Sequence, residues 1–388
     1  MIAPIIEGAD GVTLTSTGLV AVREHADFVD QVLAGRATDR ARAFRLVMTL
    51  NHEAIHFVQC FTASFPYSFS LSLLELSSQL MAVSRSNRLD REVVGQFRSA
   101  FRSRVNQYRS PCRNLTTIDL LEAMAVTEGY RATAVAAQNN SNAFHAFLQE
   151  SFPDPESEYR RAIGIVTTKL GIAAGYELTP RLCYLALNGD SPARNFWYFV
   201  DSLASNRSTT ATSLSAVELL RRFGMDIESS LLHVIEAGLP AESTHPIFQP
   251  FLKALLEIGD LSDRYEFAAK PGGWMGGGGP PAVGNLVPPL VVCSGGRGRI
   301  MGLASAWSKE DTFLYLDSTA LIGACLTLLS GRRYSQTCVH EQCPVHRSAL
   351  CHSWFAKPHE ISWSQCVFPE RVRVQFGRDF QDVLTLCH

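Results

Sequence analysis

Residues 49–58 read Thr-Leu-Asn-His-Glu-Ala-Ile-His-Phe-Val, which sets His52 and His56 four positions apart with Glu53 between them in an apolar run. A helix makes that spacing productive, because positions i and i+4 stand one turn apart on one face and both imidazoles then reach a single ion. The Glu53 carboxylate projects beside the same point, where it can take a proton from a water held by the ion. The pattern thus constrains the local conformation and the chemistry together. The competing reading is a core helix with two hydrogen-bonded histidines. The i, i+4 pairing, the intervening glutamate and the apolar flanks favour the metal.

The segment resembles the zincin metallopeptidases, whose extended pattern has Thr or Val three residues before the first His and apolar residues after the second. Thr49, Leu50, Ala54, Ile55, Phe57 and Val58 comply. The resemblance implies a catalytic Zn²⁺ held by three protein ligands, with one position left open for water. In the gluzincin branch the third ligand is a glutamate on a later helix, and Leu120–Tyr130 is similar to that helix. Glu122 lies there among Leu120, Leu121, Ala123, Met124 and Ala125, and burying its carboxylate is costly unless it is paired or metal-bound. An arginine from 91–109 is the alternative partner. Glu128 is the second candidate ligand, or a residue that orients a histidine ligand, and Asp119 is the third. About 65 residues separate His56 from Glu122, more than in the best-known gluzincins, and the resemblance covers only these two segments.

The 388-residue chain has room for two domains. A hydrophobic share of 46% with 19% charged residues is ordinary for a globular protein, and the net charge of −2 argues against general nucleic-acid binding. Arginine dominates over lysine, which occurs only at Lys169, Lys253, Lys270, Lys309 and Lys357, a bias suggesting a GC-rich bacterial genome. No basic region followed by an apolar stretch opens the chain, and no window is apolar over the length of a membrane span. These features lead us to expect a cytoplasmic protein with no membrane partner. Its ten cysteines then read as thiols or ligands, not disulfides.

Periodicity predicts a mainly α fold: a zincin-like helical metal-binding core over 1–270 and a C-terminal cysteine-rich appendage over 289–388. Helices are expected at Ala41–Phe61, Tyr67–Val83 and Arg91–Arg109, and from Thr116 to about Ala137, opened by a Thr116/Asp119 capping box. Others are expected at 157–174, 213–222, 226–237, 247–258 and 309–330, with a small sheet near the N-terminus. The 91–109 helix carries Val93, Val94, Phe97, Phe101, Val105 and Tyr108 as an apolar stripe, with Arg91, Arg98, Arg102 and Arg109 on another face. From Pro271 to Pro281 a Gly/Pro-rich run, assigned with its flank as the loop or linker 271–288, breaks regular structure. Neither it nor Ser294–Gly298 ends as a phosphate-binding loop does.

The tail concentrates Cys338, Cys343, Cys351 and Cys366, with His340, His346 and His352 nearby. Four thiolates suit a closed structural Zn²⁺ or an iron–sulfur cluster, though the spacings match neither a zinc ribbon nor a ferredoxin run. The leading expectation is a zinc-dependent hydrolase acting on a peptide or protein substrate, with His52, His56 and Glu122 as ligands and Glu53 as general base. Tyr130, His145, Tyr176 and His233 are candidates to stabilise the developing oxyanion. Two alternatives stand beside it. Glu53-x-x-His56 with Glu75 and Glu122 would suit a di-iron helical oxidase, with Glu242-x-x-His245 as the other such motif. A non-catalytic, metal-stabilised interaction or sensor protein would use the arginine face instead. Oligomeric state has no sequence signal.

Overall fold

The computed structural model describes residues 11–14, 19–22, 24–134, 137–205, 218–219, 290–294, 297–301, 321–322, 325–326, 328–330, 373–378 and 382. The described protein is mainly helical. Contacts divide the chain into two units, one of residues 1–37, 69–107 and 287–388, the other of 38–68 and 108–286. The expected helices at 226–237 and 247–258, the 271–288 stretch and the four tail cysteines lie outside the described residues. No helix among the described residues is long and apolar enough to cross a membrane.

The first unit holds a four-stranded sheet. β1 (Gly11–Leu14) pairs antiparallel with β2 (Leu19–Val22), as expected for a small sheet near the N-terminus. Its second half comes from far along the chain: β3 (Leu290–Ser294) runs parallel to β2 and antiparallel to β4 (Arg297–Met301). Ser294 and Arg297, in the run that lacks a phosphate-loop ending, are cross-strand partners. Helix α1 (Ala26–Leu33) belongs to this unit, as does α4 (Arg91–Tyr108) apart from its last residue. Val94 and Phe101, seven apart on α4, are buried. The arginine face is not wholly solvated: Arg98 donates through both Nε and Nη2 to Leu328 O at 3.2 Å.

The second unit contains α2 (Arg40–Thr62) and the first turn of α3 (Ser64–Arg85), then α5 (Thr117–Thr133), α6 (Ser141–Ser151), α7 (Arg161–Leu170), α8 (Ile172–Glu177), α9 (Thr179–Leu187) and α10 (Pro192–Ser205). Helix α9 is apolar nearly all round and buried along its length, so it forms the centre against which α5 and α10 pack. Asn188, at its end, secures the junction of α2 and α3: it accepts Ser64 N–H at 3.1 Å on Oδ1 and the Ser64 hydroxyl at 2.8 Å on its carbonyl.

Helix α5 opens as the sequence predicts. Thr116 N–H donates to Asp119 Oδ2 at 2.6 Å while the Thr116 side chain accepts from Asp119 N–H, and the acid sits at the positive end of the helix. It ends at Thr133, short of Ala137, because tertiary contacts turn the chain back. Tyr130 Oη donates to Gln138 O at 2.9 Å, and the Tyr176 hydroxyl bonds Asn139. The single helix expected over 157–174 is divided. Gly171 adopts φ +99°, a conformation that suits glycine and stops α7, and the residues before Arg161 form turns.

The packing that matters most is α2 on α5. Going up α2, Asn51 bonds Thr133 (2.9 Å), His52 meets Gly129, His56 meets Glu122, and Gln59 bonds Leu121 O, so the helices are antiparallel. Gly129 brings them close: a Cβ there would stand 3.3 Å from His52 N and 3.4 Å from His52 Cα. Glu122 is seven residues, two turns, before Gly129 and so shares its α2-facing side. Gly129→Leu is expected to force the helices apart and destabilise the protein by about 1–3 kcal/mol, the usual cost of overpacking. Denaturation midpoints should fall for the Leu variant and much less for Gly129→Ala.

Candidate metal centre

His52 and His56 lie on one face of α2, as the i, i+4 spacing requires, with their rings edge-to-face at 4.6 Å between centroids. Glu122 Oε2 comes from α5 to 3.0 Å from His52 Nε2 and 3.2 Å from His56 Nε2, and the two Nε2 atoms are 3.0 Å apart. Three ligand atoms from two helices therefore converge on one point. Both histidine side chains are 12% exposed and Glu122 is 18% exposed, so all three are largely withdrawn from water. Among the described residues this is the one grouping of three or more side chains able to hold an ion.

The donor set fits a divalent metal. Tetrahedral ligation at about 2.0–2.1 Å places neighbouring ligand atoms about 3.3–3.4 Å apart, close to the three separations observed. Electrostatics ties the same groups together. Burial lowers the His56 pKa, but the charge and hydrogen bond of Glu122, then Glu53 and Gln59, push it up to about 9. Burial raises Glu122, yet the His56 charge and hydrogen bonds from both histidines hold its carboxyl far below the usual carboxylate range. The two shifts are the halves of one ion pair between the imidazole and the carboxylate.

Glu53 is buried at 6% exposure one position after His52, and its charge is felt at His56. Gln59, fully buried and one turn beyond His56, has Oε1 2.9 Å from His56 Nδ1 and donates from Nε2 to Leu121 O at 3.1 Å. Tyr159, in the turns before α7, lays its ring 5.9 Å from the His52 ring and stacks on Phe152 at 4.4 Å. Neither residue stands out in the sequence. Gln59 carries a signal in its i+3 spacing from His56, whereas nothing local marks Tyr159. The adjacent Glu158 has its pKa raised by burial first, then by the charges of Glu122 and Asp119.

The other candidates stand elsewhere. Glu128 is buried and paired with Arg131 at 2.8 Å, and Arg131 also reaches Glu177 at 3.1 Å and Tyr176 O. Asp119 is buried, pairs with Arg161 and closes the α5 cap. Glu75 is exposed and accepts from Gln79 at 2.9 Å. The hydroxyls of Tyr130 and Tyr176 bond Gln138 and Asn139, and burial lowers the His145 pKa. Glu122 itself has the two histidines as its ion-pair partners, where an arginine was the alternative. Cys338, Cys343, Cys351, Cys366, His233, Glu242 and His245 fall outside the described residues.

Compared with known proteins, the chain matches no family model, no curated protein and no solved structure. The geometry separates the acidic candidates on α5 by their partners, and variants can follow that separation. On the metal reading Glu122→Ala is expected to lower metal content, while Glu128→Gln should leave it unchanged and weaken the fold by removing one of the carboxylates that hold Arg131. Elemental analysis of the purified variants, with thermal melts alongside, checks both.

Proposed function

We propose that the chain is a zinc-dependent hydrolase, gluzincin-like in its ligand set, that cleaves amide bonds in a peptide or protein. The observation that carries the reading is the convergence of His52 Nε2, His56 Nε2 and Glu122 Oε2 within 3.2 Å of one another, with buried Glu53 in the same helical turn. His52, His56 and Glu122 would hold the ion, which would supply a Lewis acid for a carbonyl oxygen and lower the pKa of a bound water. Glu53 takes the water proton on its carboxylate as the nucleophile attacks and delivers it to the departing amine. His52 and His56 stay neutral as ligands, and Glu122 contributes the negative charge that balances the ion in part.

The di-iron alternative needs further carboxylates around Glu53 and His56. Exposed Glu75, bonded to Gln79, favours the single-ion reading. In this reading the chain works in the reducing cytoplasm, where its cysteines serve as thiols or metal ligands. We assign the tail cysteines Cys338, Cys343, Cys351 and Cys366 to a second, closed metal site with a stabilising purpose, either zinc or an iron–sulfur cluster.

Glu53→Gln keeps the shape of the side chain and removes the base. Peptide hydrolysis should fall by roughly 10²–10⁴-fold, the usual contribution of a positioned base, with zinc content unchanged. Activity that survives the substitution would remove Glu53 from the mechanism. Metal counting separates the two sites: His56→Ala and Cys351→Ala should each lose one metal equivalent, and zinc lost from the first with iron lost from the second would identify a cluster in the tail.

A further inference from the structure

We propose that Gln59 is the positioning residue of the metal centre, fixing which nitrogen of His56 carries its proton and so directing the other nitrogen's lone pair to the ion. The inference rests on the metal reading above and adds to it a residue outside the motif. Gln59 is fully buried on α2, three positions after His56, so its side chain lies over the same turn.

The orientation of the amide follows from its two partners. Leu121 O can only accept, so the Gln59 amide nitrogen must face it, as it does at 3.1 Å. That leaves Oε1 facing His56 Nδ1 at 2.9 Å, and an amide oxygen can only accept as well. Nδ1 must therefore hold the hydrogen. As a metal ligand the imidazole is neutral with one N–H, so with Nδ1 holding it Nε2 would turn a lone pair to the ion, and Nε2 is the atom that meets His52 Nε2 at 3.0 Å and Glu122 Oε2 at 3.2 Å.

The second bond extends the effect to α5. Leu121 immediately precedes Glu122, so one buried amide references both the His56 ring and the stretch of backbone that presents the third ligand. A leucine at 59 would keep the packing volume but leave His56 Nδ1 and the second lone pair of Leu121 O without this partner. A glutamate would still accept from Nδ1 but would set one of its oxygens against the Leu121 carbonyl. An amide is the group that satisfies both sides, and it does for His56 what a carboxylate or carbonyl does for many ligating histidines.

The test is zinc affinity of the full chain, measured by competition with a chromophoric chelator, for the wild type, Gln59→Leu and Gln59→Glu. It is joined by ¹⁵N-histidine NMR of the zinc-loaded wild type. Gln59→Leu should bind zinc roughly 10–100-fold more weakly, and Gln59→Glu should recover part of that loss. The NMR spectrum should show His56 protonated at Nδ1 and metallated at Nε2, a signature that a merely structural residue would not set. Should the leucine variant fail to fold, the wild-type spectrum and the glutamate variant decide. Zinc bound through Nδ1, or wild-type affinity in Gln59→Leu, overturns this inference alone. A wild type that takes up no zinc overturns the metal reading and this inference with it.

Discussion

The close antiparallel contact of α2 and α5 is the constraint from which the site follows. Side chains of ordinary size hold two packed helix axes about 8–10 Å apart, and the residues at the crossing decide how near the backbones come. Gly129 removes the side chain at the point where α5 crosses His52 and lets the backbones approach. Two turns earlier, at Glu122, the same face of α5 meets His56. Asn51 to Thr133 at one end and Gln59 to Leu121 O at the other set the register, so a slip of one residue would break both polar bonds at buried or half-buried positions.

The remaining helices of this unit act on that pair from outside. Buried α9 gives α5 a second apolar surface besides the one α2 provides, which fixes its rotation. Asn188, just past α9, bonds Ser64 at the start of α3, immediately after α2 ends. Arg161 at the start of α7 pairs with Asp119 in the first turn of α5, and the turns just before it carry Tyr159 to the His52 ring. One ion pair thus holds the N-terminus of the ligand helix and the wall of the site in a common frame.

Much of this is legible in the chain, and the exceptions have physical causes. The α2 and α4 boundaries and the Thr116/Asp119 cap follow from local signals, and the structure places them within a residue or two of expectation. The departures depend on contacts distant in sequence. Helix α5 stops at Thr133 because Tyr130 and Tyr176 hold Gln138 and Asn139, and no local pattern announces bonds made across a bend. Strands β3 and β4 join β1 and β2 from most of the chain's length away, and loop closure on that scale leaves no periodic trace. Gly171 is a readable breaker, but the apolar run around it masks the signal. Arg98 has the spacing of a solvated face and instead bonds a backbone carbonyl, since a long side chain can reach back across apolar surface.

The distinction among acidic residues on α5 argues most directly for what the site holds. Asp119, Glu122 and Glu128 share one helix, and a carboxylate withdrawn from water needs compensating charge. Asp119 has Arg161 and Glu128 has Arg131, permanent cations that no ordinary pH removes. Glu122 has two imidazoles, each neutral unless protonated, in a protein where arginine is the abundant cation. A salt bridge built only for stability would have had the same solution available as its two neighbours. Histidines become the better partners when the charge to be balanced arrives from solution, because neutral imidazoles offer lone pairs that guanidinium lacks. On the proposed metal reading, the Glu122 environment suits a cation the chain does not encode, and Glu53, buried on the same turn of α2 as His52, would serve the chemistry such a cation makes possible.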